Sequence, residues 1–305
     1  MARLSVGAAA GEGFGLIRRN PGAVALWAVI SIGYLLIRAG LYVPFYGALF
    51  AQIGHNIQSG GSAAPDIRAL APQLQQMQAV GLLLSLGSLF ISAVVSCAIY
   101  RAVLHPDQSR LGYMRVGAAE LFLFMFTIAM VFAFVIIFVI AALIVGLIAG
   151  VAAIGSPAAG VTLGAVGALL ISAIFIYVGL RLLLLGPLMV DTGQFQLDQA
   201  WALTKGHAGG LFLIAVLLIV LFLVAEVALF GTGVALFAAE TAGFSQVKAL
   251  FQQSPGAVVA QLAPIIVLEV VGWLVMAACA GPILLAPWAR AYRDLRGDGL
   301  AETFG

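Results

Sequence analysis

The chain has 305 residues, of which 63% are hydrophobic and 9% are charged, and its formal net charge is +2. Soluble domains carry about 25% charged residues, so this composition excludes a soluble globular protein. The few cations are scattered, whereas nucleic-acid binding needs clustered cations that replace phosphate counterions. We therefore expect no nucleic-acid partner.

Residues 121–180 form a stretch without a single charged side chain. One crossing of a bilayer needs about 20 apolar residues, so this stretch must cross at least twice. Lipid offers the backbone no hydrogen-bond partner, and a helix satisfies its own backbone groups. The sequence predicts an all-α fold, a polytopic integral membrane helical bundle.

The N-terminal segment, residues 1–20, is polar to weakly amphipathic and ends just after Arg18 and Arg19. Pro21 favours a helix start, because proline costs nothing in the first helical turn. No cleavage site leads into a soluble chain after the paired arginines. We interpret the pair as a cytoplasmic anchor rather than as an export signal.

Apolar runs separated by Gly, Pro and charge clusters predict about six transmembrane helices. They cover residues 22–47, 78–101, 119–150, 163–187, 209–235 and 260–287. The third run exceeds a hydrocarbon core of about 30 Å, so it must tilt, project or end early. A tight turn at residues 155–160 makes the third and fourth helices neighbours.

Cations on the two sides of these helices differ in number: ten on one side against Arg68 and Lys248 on the other. Because cations stay preferentially in the cytoplasm, both termini are predicted to be cytoplasmic, an N-in/C-in topology. This divides the chain into an N-terminal segment (1–20), a single six-span domain (21–290) and a cytoplasmic tail (291–305).

Two segments between the spans have the periodicity of short amphipathic helices. Residues 66–78 place apolar side chains at steps of three and four, which predicts a helix on the outer surface. Residues 195–204 place Ala200, Trp201 and Thr204 on one face, with Gly206 as a stop. We expect Trp201 to lie at the level of the lipid headgroups.

Residues 181–206 resemble a stretch in the membrane domain of bacterial glycerophosphoryl diester phosphodiesterases and of related uncharacterised multi-pass proteins. The matching positions are Arg181, Pro187, Asp191, Gly193, Ala200, Trp201, Thr204, Lys205 and Gly206. The resemblance implies a span that ends in proline, a tight turn and an interfacial helix with a basic end. It also implies a bacterial cytoplasmic (inner) membrane.

The phosphodiesterase activity of that family belongs to a separate soluble barrel with paired carboxylates and a His-Arg motif. This sequence contains no His-Arg pair and leaves no room for the barrel. We therefore expect the chain to lack that activity. The residues themselves predict that Pro187 and Gly193 break the helix, that Asp191 accepts bonds from turn amides, and that Lys205 stabilises a helix end.

Ionisable residues inside predicted spans are the best candidates for a functional site, because each costs about 2.5–3.5 kcal/mol at the bilayer centre. Arg38, Glu226 and Glu269 all fall in the outer half of the membrane by helical rise. They predict a polar cluster in which Arg38 bridges to Glu226, to Glu269 or to both. Arg181 lies near the cytoplasmic end of its span and can snorkel to the interface.

Three interpretations of this cluster stay open. The first is a structural role, either as an ion pair or as a set of neutral carboxyls. The second is a cavity in which the arginine binds an anionic headgroup or solute and a carboxylate couples a proton. The third is a set of snorkelling side chains without partners. Small-residue motifs at Gly146/Gly150 and at Gly160/Gly164 favour packing within the chain over a dimer face.

Two cysteines in apolar runs and three distant histidines fit no metal-ligand spacing, so we expect no metal and no cofactor. The sequence is typical of a non-enzymatic membrane protein that handles lipid or solute or organises the membrane. Its expected partners are membrane lipids, and a membrane-protein partner or a second copy of the chain. The alternatives are an intramembrane enzyme acting on lipid headgroups and an assembly subunit of a membrane complex.

Overall fold

A computed structural model of the chain describes residues 4–58, 67–243, 245–246 and 255–304. Within these ranges the chain is helical and contains no β-strand, which confirms the predicted all-α class. The helices are α1 (Val6–Arg19), α2 (Pro21–Gln58), α3 (Ile67–Leu104), α4 (Ala118–Gly155), α5 (Pro157–Leu182), α6 (Leu185–Thr192), α7 (Leu197–Leu203), α8 (Ala208–Glu240) and α9 (Pro255–Phe304). A single 3-10 turn, Arg110–Tyr113, lies between α3 and α4.

Six segments of the described chain are long and apolar enough to cross a membrane, as the sequence predicted. They are Pro21–Val43, Val80–Leu104, Arg110–Gly155, Pro157–Thr192, Ala208–Glu240 and Ala260–Gly297. The chain is therefore a multi-pass helical membrane protein. An even number of crossings brings α1 and the last turns of α9 to the same end of the bundle.

The cations group at that end as well. We call it the basic end: α1, the connection 105–117, helices α6 and α7, and residues 282–296 of α9 meet there. Arg3 and Lys248, which contribute to the predicted orientation, lie outside the described residues. Arg68 is at the start of α3, at the opposite end of the bundle.

Helices α4 and α5 form an antiparallel hairpin with a shorter turn than predicted. Only Ser156 separates them, so the fourth span begins before the predicted residue 163. Ser156 Oγ accepts a hydrogen bond from the Ala159 N–H at 3.4 Å, and Pro157 in the first turn lets the helix restart at once. The third span does not end early, since α4 runs for 38 residues, or about 57 Å.

Glycine allows this hairpin to close. A Cβ on Gly160 would lie 2.5 Å from the Ala153 Cβ and 2.8 Å from the Ala149 carbonyl oxygen. The motif that begins at Gly160 therefore packs within the chain, as predicted. Around Gly146 and Gly150, in contrast, an added Cβ would meet nothing within 4 Å.

Helix α1 is a packed element, whereas the sequence predicts only a cytoplasmic anchor at Arg18 and Arg19. It buries Ala9, Glu12, Gly13 and Leu16, which recur at helical spacing on one face. A Cβ on Gly13 would lie 2.5 Å from the Ile283 Cα, so the α1 and α9 backbones nearly touch there.

Two helices extend beyond their predicted spans. Helix α3 begins at Ile67 and runs without interruption into its span, so the helix predicted over 66–78 is not a separate surface element; residue 66 lies outside the described residues. No helix-breaking residue separates the two parts. Helix α9 passes through Pro282 and Pro287 and continues beyond residue 290, and Tyr292 remains buried.

The tightly packed core lies at the basic end. Its fully buried side chains include Leu16, Trp27, Ile99, Leu185 and Tyr292. Farther along the spans, large apolar side chains of α4, α5 and α8 are mostly exposed. Such exposure is expected where lipid rather than water surrounds the helices.

Candidate functional site: the basic end and the intramembrane charges

The predicted intramembrane residues lie on three different helices. Arg38 of α2 lines a groove of about 200 Å³ with Tyr34, Ser88 and Trp273, and its guanidinium lies 6.0 Å from the centre of the Tyr42 ring. Arg38 therefore faces α3 and α9 rather than open lipid.

No ion pair within the described chain joins Arg38 to Glu226 or Glu269. Glu226 is exposed on α8. Glu269 turns toward α8 instead: a Cβ on Gly233 would lie 2.1 Å from the Glu269 Oε1 atom. That oxygen is buried and has no hydrogen-bond partner among the described residues. The predicted cluster of these three residues is therefore not formed in the described chain.

The ion pairs gather at the basic end, and the most buried one was not predicted. Arg101 at the end of α3 pairs with Glu120 at the start of α4, and both side chains are only 1% exposed. Arg101 also donates to the Tyr113 carbonyl oxygen at 2.9 Å, and the Gly117 N–H donates to Glu120 Oε2 at 3.0 Å. The Arg101–Glu120 pair and its two hydrogen bonds thereby hold together the two ends of the connection between α3 and α4.

Asp191 of α6 is the centre of a second group. It pairs with Arg296, accepts a hydrogen bond from the Tyr292 hydroxyl at 2.8 Å, and lies 3.3 Å from His105 Nε2. Its carboxylate partners are therefore side chains of α9 and of the α3–α4 connection rather than the predicted turn amides. Asp191 joins α6 to two distant parts of the sequence.

Arg181 is buried rather than snorkelling to the interface. Its guanidinium donates to the Tyr177 hydroxyl at 2.9 Å and to Thr204 Oγ1 at 3.3 Å. It also lies over the Tyr177 ring at 5.1 Å and the Trp201 ring at 5.3 Å, distances typical of cation–π contacts. Trp201 is 40% exposed beside it. The arginine thus fixes the interfacial helix α7 against α5.

The remaining residues of the 181–206 segment shape the chain around these contacts. The helix breaks at Leu183 and Leu184, before α6, because Pro187 has no N–H to offer the Leu183 carbonyl four residues earlier. Gly193 ends α6 with a φ of 70°, in the left-handed region that favours glycine. Lys205 is exposed next to Gly206, which has a φ of 84°.

Helix α1 has its own charged attachment to α9. Glu12 pairs with Arg19 on α1 and lies 3.5 Å from the Arg290 guanidinium. Arg290 also pairs with Asp294 at 2.9 Å, one turn farther along α9. These contacts surround the close approach at Gly13.

Two apolar grooves open toward the membrane from the basic end. One, of about 460 Å³, lies between α4 and α5 and is lined by residues that include Phe126, Met130, Phe134 and Gly179. It begins about 12 Å along α4 from residue 118. The other, of about 250 Å³, is formed by α1, α8 and α9 beneath Phe14.

The described residues contain no group of three or more His, Cys, Asp or Glu that could hold a metal ion. Cys97 and Cys279 are free thiols, the first buried and the second partly buried.

Six apolar spans, joined at one end to a group of ion pairs, define a multi-pass helical membrane protein. Comparison with known proteins adds no closer assignment: no protein-family model, no curated protein and no solved structure matches this chain.

Proposed function

We propose that this protein is a non-enzymatic phospholipid-binding protein that organises lipid in the bacterial cytoplasmic membrane. We also propose that it is related to the membrane domain of glycerophosphoryl diester phosphodiesterases through residues 181–206. The observation that carries the proposal is the placement of two apolar grooves directly beneath a charged layer.

The α4–α5 groove has the properties of a site for an acyl chain. Its lining is almost entirely apolar, and its volume lies within the range of about 300–1,000 Å³ of ligand pockets. It opens sideways to lipid, and it begins below the arginine-rich end of the bundle. A phospholipid presents the same order of groups, with a charged head above apolar chains.

The distribution of cations supports a cytoplasmic position for the basic end. Eight lysine and arginine residues of the described chain fall in α1, the connections and α9 at this end, and Arg101 near the end of α3 is a ninth. The cytoplasmic leaflet carries anionic lipids, which attract such residues by about 1 kcal/mol each near the surface.

The contacts of Asp191 support a structural rather than a catalytic role for it. Its carboxylate already contacts the side chains of Arg296, Tyr292 and His105. A general acid or base needs a carboxylate within reach of substrate, and here the oxygens are occupied by the protein. The enzyme alternative predicts headgroup turnover that is lost in Asp191→Asn.

Filling the groove tests the proposal. An added Cβ at Gly179 meets nothing within 4 Å, so Gly179→Phe places a ring in the α4–α5 groove without a clash at the backbone. Gly146→Phe is the matched control, since Gly146 is equally open but lies on α4 outside the groove. Phospholipid that copurifies with the protein is measured by phosphorus assay and lipid mass spectrometry.

The proposal predicts that Gly179→Phe loses bound phospholipid while Gly146→Phe retains the wild-type amount. Equal lipid content in both variants would contradict it. The assembly alternative rests on the open glycines at 146 and 150. It predicts instead a stoichiometric protein partner or a second copy that Gly146→Phe releases.

A further inference from the structure

The connection between α3 and α4 contains a pocket to which the proposed function assigns no role. The pocket has a volume of about 470 Å³. Its charged lining consists of Arg101, Arg110, Arg115 and Asp107. Glu120 already neutralises Arg101, yet two further arginines face one aspartate, so the pocket is net positive.

Arg101 forms the buried wall of this pocket and has an unused donor. Its side chain is 1% exposed, and its Nε–H is buried without a hydrogen-bond partner in the described chain. Burying a donor without an acceptor is unfavourable, so native structures seldom leave one without a reason. A bound anion with several acceptor oxygens is one such reason.

The pocket is preformed by contacts to its backbone. The Trp27 indole N–H donates to the Gly112 carbonyl oxygen at 2.8 Å, and the Tyr113 hydroxyl donates to the Pro106 carbonyl oxygen at 3.2 Å. Leu111, Gly112 and Tyr113 all have φ between 50° and 64°, a conformation that L side chains rarely adopt. Such a strained backbone persists only where many surrounding contacts hold it in place, and strained residues are enriched at ligand sites.

Apolar side chains beside the pocket place it at the membrane surface. Leu111 is 80% exposed and Val116 is 73% exposed, each next to an exposed arginine. The span of α3 ends at Leu104, immediately before the connection. Leucine and valine can enter the edge of the hydrocarbon while Arg110 and Arg115 stay among the headgroups.

We propose that this pocket binds the phosphate of an anionic phospholipid headgroup. Arg110 and Arg115 donate charge-assisted hydrogen bonds to the phosphate oxygens, and Arg101 supplies the buried positive wall. Arginine suits this task because its planar guanidinium offers two parallel donors to a phosphate. The inference deepens the proposed function, since it places the headgroup at a defined site.

The same chemistry would accept a free phosphate, so the test uses both sources. The full chain is purified in a non-ionic detergent and titrated calorimetrically with dioctanoyl phosphatidylglycerol, dioctanoyl phosphatidylcholine and inorganic phosphate. The variant is Arg110→Ala/Arg115→Ala, since both side chains are exposed and neither forms an ion pair with a described residue. The control is Arg18→Ala, an exposed arginine of α1 at the same end of the bundle.

We expect wild type and Arg18→Ala to bind phosphatidylglycerol equally, and the double variant to bind it at least about tenfold more weakly. Phosphatidylcholine, whose cation opposes the arginines, should bind more weakly than phosphatidylglycerol. If inorganic phosphate binds as tightly as the lipid through the same arginines, the phosphate site stands but its assignment to a lipid headgroup is overturned. If no ligand depends on Arg110 and Arg115, the whole inference is overturned.

Lipid copurification separates this inference from the proposed function. If the double variant binds no less phosphatidylglycerol than wild type while Gly179→Phe loses copurified lipid, the pocket is overturned and the proposed function survives. If no lipid copurifies with any variant while inorganic phosphate still requires both arginines, the proposed function fails and the phosphate site remains.

Discussion

Arg101 and Glu120 form an ion pair that joins the end of α3 to the start of α4, with both side chains 1% exposed. The pair holds the connection that contains Arg110, Leu111 and Arg115. Buried pairs of this kind add little net stability over apolar residues, but breaking one leaves a charge without a partner. The charge pair therefore fixes the shape of the connection more than it stabilises the fold.

Removing one member of this pair should be strongly destabilising. We expect Glu120→Ala to lower the free energy of unfolding by about 3–5 kcal/mol, measured by thermal unfolding in detergent micelles. Arg101→Met/Glu120→Leu should recover most of the loss, because no unpaired charge remains. Asp198→Asn, at an exposed acid of α7, serves as control. A double variant less stable than Glu120→Ala would contradict this view of the pair.

Gly13 should tolerate no side chain. A Cβ there meets the α9 backbone at 2.5 Å, so we expect Gly13→Ala to displace α1 and cost about 1–3 kcal/mol. Gly11→Ala lies on the exposed face of the same helix, where an added Cβ meets nothing within 4 Å, and should stabilise the helix slightly. Equal melting temperatures for the two variants would show that α1 does not pack on α9 as described.

Asp191 and Tyr292 should be energetically coupled. Tyr292→Phe removes one hydrogen bond and should cost about 1 kcal/mol of unfolding free energy. In an Asp191→Ala background the same change should cost less, because its acceptor is already gone. A double-mutant cycle by thermal unfolding measures the difference. Strictly additive effects would mean that the hydroxyl does not donate to Asp191.

The stacked arginine should not be replaceable by lysine. Arg181→Lys keeps the charge but loses the planar group between Tyr177 and Trp201, so helix α7 should detach more often. Trypsin cleavage after the exposed Lys205 reports this detachment and should become severalfold faster than in wild type. Arg18→Lys controls for a general effect of an arginine-to-lysine change on cleavage. Unchanged cleavage in Arg181→Lys would argue against the stacking role.

The orientation of the bundle can be tested with single cysteines in a background where Cys97 and Cys279 are changed to alanine. Arg110→Cys lies at the basic end, and Ser245→Cys lies beyond the end of α8 on the opposite side. A membrane-impermeant maleimide should label position 110 only in inverted vesicles and position 245 in intact spheroplasts. The reverse pattern would place the basic end outside.

Hydropathy predicted the spans well because crossing a bilayer requires a long apolar run whatever the run packs against. The start of the fourth span, residue 163, is too late in the prediction, since Ser156 and Pro157 restart a helix without a loop. Depth along each span could also be estimated from helical rise. Contacts between side chains at one depth also depend on how each helix is rotated about its axis. A helix that is apolar on every face gives little information about that rotation.

Arg38, Glu226 and Glu269 show this limit. Glu269 packs at Gly233, about two helical turns along α8 from Glu226, and Glu226 faces outward. The pair Arg101–Glu120 was missed for a related reason. Both residues lie at span ends. An arginine there is ordinarily taken as evidence for the cytoplasmic side, and an acid at a helix start is taken as a helix cap. Only the tertiary structure shows that α3 and α4 bring them together.

A native mass spectrum of the wild-type chain, released directly from membrane vesicles, tests the central claim of phospholipid binding most directly. The account predicts adducts with the mass of an anionic phospholipid that persist at collision energies that remove zwitterionic lipid. A chain that emerges free of lipid, or bound only to a stoichiometric protein, would contradict it.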